Sequence, residues 1–217
     1  MKAYRLLGVW AVLAGLTAVA PSAMAQKWEF GGGVGGSFYM SRDVTNGSAS
    51  ASAKMQTNVA SGIWLGNNNS GHWGGEVRYD YQRGDLHLAS GSSSATFGGE
   101  SHALHYDILW HARPRGAKIR PFLAIGGGVK AYRGTGQEPL VQPLSQFALL
   151  TKGKDVRPML SLGAGVKWQI AKSLQFRAEV HDYITPFPQE IIVPNVGSHV
   201  SGVLQNIVPL AAIAYTF

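Results

Sequence analysis

The chain has 217 residues, a formal net charge of +7 and no cysteine, which excludes disulfides, thiolate metal sites and a cysteine nucleophile. Its 19 Lys and Arg residues are spread out, without the basic block that nucleic-acid binding usually needs. An anionic lipid surface is at least as plausible an electrostatic partner. Frequent glycines and recurring aromatic residues favour many short strands over helices.

The N-terminus has the three parts of a secretory signal peptide. A short basic start precedes the apolar run 6–20, and Ala23 and Ala25 occupy the positions that a signal peptidase reads. The run is about 15 residues long, whereas a spanning helix needs roughly 20. We therefore predict that residues 1–25 are a cleaved signal peptide and that 26–217 form one exported domain.

The rest of the sequence contains eight stretches in which apolar and polar residues alternate, which is the period of a strand with one apolar face. They lie at about 28–40, 55–66, 73–82, 101–111, 122–131, 160–168, 176–181 and 207–217. The links between them are alternately short and long, as in a barrel with tight turns at one end and loops at the other. We predict an all-β fold, an eight-stranded antiparallel up-and-down transmembrane β-barrel.

The composition of the two faces favours lipid outside and charge inside. The polar face carries nearly balanced charges, and we predict that it forms an interior polar network of Glu29, Glu76, Arg78, Asp80, His105, Asp107, Lys130, Lys167, Arg177, Glu179 and His181. The apolar face carries aromatic residues near its strand ends, predicted to form a lipid-facing girdle of Trp28, Trp73, Trp110, Trp168, Tyr215 and Phe217. A soluble lipocalin-like barrel and a β-sandwich remain alternatives, because soluble sheets also alternate.

A barrel of eight strands has little interior space, and side chains fill it. We expect Arg78 and Arg177 at the centre of the network, with inward glycines making room for the long side chains. Hydrocarbon offers no hydrogen-bond partner to a free strand edge, so the sheet must close.

Three segments carry a family resemblance. Residues 120–132 and 157–168 both begin with Arg-Pro and continue into a Gly-rich strand, and 213–217 end the chain with an aromatic strand. In these motifs the chain resembles the OmpA/OmpX-like small outer-membrane β-barrel proteins of the porin-family class. The resemblance implies a Gram-negative cell outer membrane as location and recognition of the last strand by the outer-membrane assembly machinery. The motifs specify a fold and no activity.

Some residue pairs suggest chemistry. His105 with Asp107, and His181 with Glu179, could each orient a general base, although nearby basic residues favour ion pairing. His199 and Ser201 resemble the His-x-Ser arrangement of lipid A deacylases, but the Asn of that family is replaced by Gly202 and no acidic partner is evident.

No cofactor motif is apparent. The Gly-rich run 31–36 lies within a strand pattern and precedes no helix, so it fails as a phosphate-binding loop. The seven histidines show no metal-ligand spacing. We expect no catalytic, cofactor-binding or metal residues.

The long links differ in character. Residues 48–53 and 90–94 are of low complexity and expected to be flexible. The link 133–156 is unusually apolar and could hold a short helix or cover the barrel mouth, and 185–201 is apolar and rich in proline. These two links either pack on each other or form a binding surface.

We therefore expect a monomeric outer-membrane protein of structural or interaction type, without catalysis, that serves envelope integrity or surface binding. Its expected partners are outer-membrane lipid and lipopolysaccharide, the assembly machinery, and a possible surface ligand held by the loops. The alternatives are a lipid A deacylase-type enzyme using His199 and Ser201, and a narrow small-solute channel, which a filled barrel disfavours.

Overall fold

The computed structural model describes residues 27–68, 70–200 and 202–217. The predicted signal peptide and Ser201 lie outside these residues. In the described part of the chain, all regular secondary structure consists of β-strands. The same part holds no helix long and apolar enough to cross a membrane.

Fifteen strands form within the described ranges. In chain order they are β1 Trp28–Tyr39, β2 Arg42–Asn46, β3 Ala49–Met55, β4 Asn58–Asn67, β5 Trp73–Arg83, β6 Leu86–Ser90, β7 Ser93–Phe97, β8 Gly99–His111, β9 Ile119–Gly134, β10 Ala148–Leu150, β11 Lys154–Ala171, β12 Leu174–Pro186, β13 Ile192–Pro194, β14 Ser198–Val200 and β15 Val203–Thr216. Strands β1, β4, β5, β8, β9, β11, β12 and β15 close into one antiparallel barrel in which β1 pairs with β4 and β15. The predicted all-β, eight-stranded antiparallel barrel is confirmed, and the sandwich alternative is wrong.

Period-two alternation runs through the barrel strands. In β8 the side chains of His105 and Asp107 are buried, whereas those of Tyr106 and Ile108 are exposed. Each strand therefore has a polar inner face and an apolar outer face. Strands β9 and β11 are 16 and 18 residues long, longer than predicted, because their pairing continues past the apolar stretch to Arg133 opposite Lys154.

The two ends of the barrel differ. We call the end with the tight connections the turn end; there the Trp28 N–H also donates to the Phe217 carbonyl at 3.1 Å. Its connections are 68–72, 112–118 and 172–173. The opposite, long-loop end carries the connections 40–57, 84–98, 135–153 and 187–202.

Two of the long connections extend the barrel as strands. Residues 48–53 and 90–94, which we expected to be flexible, instead form the β2–β3 turn with the start of β3 and part of the β6–β7 hairpin. These strands belong to a five-stranded sheet in the order β14-β2-β3-β6-β7. In β3 the small side chains alternate, with Ala51 and Ala53 buried. Gly47 and Gly91 have φ values of 59° and 56°, the conformation that a two-residue hairpin turn requires.

The other two long connections pack on each other, one of the two outcomes that we considered. Strand β10 pairs with β13, and residues 135–153 contain no helix. The buried apolar side chains of all four connections meet residues from the barrel mouth in one cluster of Tyr39, Val44, Ala51, Ala53, Met55, Leu86, Leu88, Ala95, Phe97, Tyr132, Leu144, Phe147, Ala148, Leu150, Phe187, Ile191, Ile192 and Leu204. We call this group the apolar cap, because it closes the long-loop end of the barrel.

Candidate functional site

The barrel interior is lined by charged residues from six strands. The side chains of the predicted interior set are all buried: Glu29, Glu76, Arg78, Asp80, His105, Asp107, Lys130, Lys167, Arg177, Glu179 and His181. Because an isolated buried charge is very costly, these groups must be paired or hydrogen-bonded.

Two arginines lie at the centre of this set. The Arg78 guanidinium lies 3.3 Å from Glu76, 3.2 Å from Asp80 and in contact with Glu179. The Arg177 guanidinium lies 2.7 Å from Glu76, 3.2 Å from Glu29 and 2.5 Å from Glu179. Glu76 and Glu179 therefore bridge the two arginines, and neither guanidinium is accessible to solvent.

Aromatic rings enclose the arginine pair. The Trp64 ring lies 5.0 Å from the Arg78 Cζ and 4.6 Å from the Arg177 Cζ, and its Nε1–H donates to Glu29 at 3.0 Å. The Phe122 ring lies 4.5 Å from the Arg177 Cζ. Cation–π contacts of this kind between a guanidinium group and an aromatic ring are stronger when water is excluded from them. Trp64 and Phe122 have the inward parity of their strands, but no local signal in the sequence linked either ring to the arginines.

The two histidines lie beside the arginine pair. In His105, Nδ1 lies 3.0 Å from Asp107 and Nε2 lies 3.2 Å from Asp80. His181 lies 3.4 Å from Glu179 and 3.4 Å from the Ser161 Oγ. The Ser161–His181–Glu179 arrangement has the order of a hydrolytic triad. All three side chains are buried, so no substrate reaches the serine, and the ion-pair interpretation fits the geometry better than catalysis.

Three possible metal ligands also meet here. Ligand atoms of Glu76, Asp107 and His181 lie within 4.8 Å of one another, a grouping that sequence spacing could not show because the residues come from three strands. Glu76 already accepts two hydrogen bonds from Arg177, at 2.7 and 2.8 Å. A cation placed there would adjoin two guanidinium groups, so these residues do not favour a metal site.

Lys130 lies above the arginines, and no carboxylate among the described residues is in salt-bridge contact with it. Its amino group donates to Gln82 at 2.9 Å and to Asn206 at 2.6 Å. Three rings surround it, with centroids 4.9 to 5.4 Å away, from Tyr39, Tyr132 and Tyr183. Tyr39 and Tyr132 also belong to the apolar cap, so the polar interior directly adjoins the cap.

The turn end of the interior is built around Glu29. Lys167 donates to it at 2.7 Å and Asn68 at 3.3 Å. Asn68 in turn accepts from Arg120 at 3.4 Å, and Arg120 lies opposite Lys167 in the register of β9 and β11. In the sequence, Arg120 was notable only as the first residue of a motif.

The outer wall has an aromatic zone at the turn end and a polar zone at the long-loop end. The predicted girdle residues are all exposed: Trp28, Trp73, Trp110, Trp168, Tyr215 and Phe217. All of them lie at the turn end, where Trp73 pairs with Trp110 and Trp168 with Ile119. Pairing of strands therefore gathers residues that the sequence showed only as lying near strand ends.

The long-loop rim of the outer wall is polar and charged. Arg83, Glu100, Arg133 and Lys154 lie opposite one another in successive pairings of β5, β8, β9 and β11. Below them the Tyr79 hydroxyl contacts His102 at 2.7 Å.

His199, one of the two possible deacylase residues, lies in the loop sheet and not on the barrel wall. It belongs to β14, pairs with Thr45 and is exposed. Its backbone carbonyl accepts a hydrogen bond from the Thr45 hydroxyl at 3.3 Å. Ser201 lies outside the described residues.

Neither a protein-family model nor a curated protein matches the sequence. Among solved structures, Neisserial surface protein A superposes with a TM-score of 0.52 at 11% identity, over 89% of this chain and 99% of that one. The outer membrane protein OprG from Pseudomonas aeruginosa superposes with a TM-score of 0.53 at 12% identity, over 89% of this chain and 97% of that one. The chain therefore has the fold of the small eight-stranded outer-membrane β-barrels, the class that its motifs resemble.

Proposed function

We propose that this protein is an exported, monomeric outer-membrane barrel of structural or interaction type, which binds its partners through surfaces and conducts no solute. The observation that carries the proposal is the inverted polarity of the barrel. Ten Asp, Glu, Lys or Arg side chains are buried in the interior, while Val34, Leu123 and Ile125 on the wall are more than half exposed.

Inverted polarity supports lipid as the solvent of the outer wall. Soluble monomers rarely expose contiguous apolar patches larger than a few hundred square ångströms, and the apolar wall here encircles the barrel. A lipocalin-like barrel would keep its apolar face inside, which the buried arginine pair contradicts. We therefore also propose that the aromatic girdle at the turn end faces lipid.

The height of the wall also fits a bilayer. Strand β5 exposes Trp73, Val77 and Tyr79 before it reaches the charged Arg83. A transmembrane strand needs about 9–11 residues at a tilt of about 45°, which is the length of this segment. The apolar band would be about 25 Å tall, as in outer-membrane barrels.

The filled interior supports an interaction role over a channel. Arg78 and Arg177 are inaccessible to solvent, and the apolar cap closes the long-loop end. A solute would have to break several buried ion pairs to pass. The deacylase alternative gains no support, because His199 lies in the loop sheet away from the wall.

Two surfaces are available to partners at the long-loop end. Leu140, Val141 and Val196 are almost fully exposed, and a pocket of about 350 Å³ adjoins Leu140 and Leu149. This apolar tip suits a surface ligand. The outward Arg83, Arg133 and Lys154 would face the phosphates of lipopolysaccharide.

Fractionation and gel mobility test the proposal. We expect the protein in outer-membrane fractions and expect unboiled samples to migrate differently from boiled ones, because a closed barrel resists detergent until heated. Recovery of the protein as a soluble periplasmic monomer would contradict the membrane assignment. An unchanged mobility on boiling would contradict the stable closed barrel.

A further inference from the structure

The charges of the protein are distributed unequally between its two ends. In the barrel interior five acidic side chains face five basic ones, since the buried Arg120 joins the four predicted basic residues. The outer wall and the long-loop half also balance, with seven basic and seven acidic residues, among them Arg42, Lys54 and Lys152. What remains is five basic residues at the turn end, of which Lys27, Arg113, Arg115 and Lys118 form the group that we call the turn-end cations.

The tight connections at the turn end differ in charge from the long loops. The connections 68–72, 112–118 and 172–173 contain neither Asp nor Glu. The net charge of +5 that the chain carries after residue 26 therefore lies at this one end of the molecule. A concentrated charge of a single sign attracts charged surfaces more strongly than a surface on which both signs are mixed.

The turn-end cations are held on a connected scaffold. Arg115 donates to the Asn68 carbonyl at 3.1 Å from its side chain and to the Gly71 carbonyl at 3.1 Å from its backbone. The Gln169 N–H donates to the Lys118 carbonyl at 2.8 Å, and its side chain donates to the Lys172 carbonyl at 3.1 Å. These bonds link neighbouring turns, so the charges form one surface.

The turn-end cations adjoin the aromatic girdle in the chain and in space. Lys27 directly precedes Trp28 and Lys118 precedes Ile119, which pairs with Trp168. Trp rings favour the boundary between hydrocarbon and headgroups. With the rings at that depth, the cations beyond them lie at the level of the lipid phosphates.

We infer that the turn end is a docking surface for anionic phospholipid headgroups, those of phosphatidylglycerol type, in the leaflet that the aromatic girdle enters. This inference rests on the proposed membrane-spanning function and adds to it the lipid class and the residues that select it. The complementary charge and the aromatic boundary both specify the occupant. The cations attract phosphate charge, and the adjacent rings keep that charge at a membrane surface.

The test uses the purified protein reconstituted in phosphatidylcholine vesicles that contain spin-labelled phosphatidylglycerol or spin-labelled phosphatidylcholine. We expect the boundary shell to prefer phosphatidylglycerol by about three- to tenfold at low salt, from several cations near a charged surface. The preference should fall towards one in 1 M salt, where the Debye length is about 3 Å.

Three variants locate the effect. The triple variant Arg113→Gln/Arg115→Gln/Lys118→Gln should lose most of the preference, and Arg113→Lys/Arg115→Lys should keep it. The control Arg42→Gln/Lys54→Gln/Lys152→Gln removes the same charge at the long-loop end and should leave the preference unchanged. Equal losses in the two triple variants, or no preference in the unaltered protein, would overturn the inference.

Failure of the inference can be distinguished from failure of the proposed function. A barrel that migrates as folded in pure phosphatidylcholine vesicles, yet shows no lipid preference, contradicts only the docking surface. A protein that never inserts into either vesicle contradicts the membrane assignment itself.

Discussion

Replacing Arg177 by methionine tests whether the buried ion pairs stabilise the barrel. Arg177 is inaccessible to solvent and lies within 3.2 Å of Glu29, Glu76 and Glu179. Methionine fills part of the volume but leaves these carboxylates with fewer cations. Removal of one partner from a buried ion pair costs about 3–5 kcal/mol, because the remaining charge stays buried and uncompensated. We expect the free energy of unfolding to fall by about 4 kcal/mol.

The control is an exposed ion pair on the same barrel. Arg133 lies 3.7 Å from Glu100, and its side chain is 62% exposed. Exposed pairs contribute about 0–1 kcal/mol, so Arg133→Met should change the free energy of unfolding by less than about 1 kcal/mol. Both variants are compared by urea unfolding of the barrel in phosphatidylcholine vesicles.

The double variant Arg177→Met/Glu76→Gln sharpens the test. Glu76→Gln removes a carboxylate that Arg177 no longer neutralises, so the double variant should be more stable than the sum of the two single losses predicts. Two results would contradict this role of the ion pairs. One is a loss of less than about 1 kcal/mol in the free energy of unfolding of Arg177→Met, and the other is simple additivity of the two single losses.

Three further outcomes are expected. A Cβ on Gly128 would lie 2.1 Å from the Leu104 carbonyl oxygen, whereas one on Gly127 would lie 3.3 Å from its nearest neighbour. Urea unfolding should therefore show that Gly128→Ala lowers the free energy of unfolding by about 1–3 kcal/mol and that Gly127→Ala lowers it by clearly less. Equal losses would contradict the close inner packing. Planar-bilayer recordings should show no stable open level, since buried side chains fill the interior; a steady conductance abolished by Arg78→Met would instead support a channel. His199→Ala should leave the lipid A mass spectrum of the cells unchanged, and a spectrum that gains an acyl chain would revive the deacylase alternative.

The inner and outer faces of the barrel could be predicted from the sequence because alternation is a local property. Side chains of successive residues in a strand point to opposite faces, so parity alone assigned Glu29, Glu76 and Arg177 to one face. The number of strands followed from the eight alternating stretches, and their up-and-down order followed from the alternating link lengths.

The partners of those residues could not be predicted in the same way. Arg177 meets Glu29 across 148 positions of sequence, and this contact depends on the register of the strands and on barrel closure. The loop strands escaped notice for a different reason: the alternation of Ala and Ser in β3 carries little contrast in polarity, and Ala51 and Ala53 become core residues only under the cap.

Sequence thus determined which side of the wall each residue occupies, because a strand imposes that choice residue by residue. Tertiary structure decided which residues share a level along the barrel axis. The register brought Glu76 and Glu179 between two arginines, gathered the girdle tryptophans at one end and placed the turn-end cations beside them. Those groupings arise from the pairing of distant strands, for which a single strand carries no information.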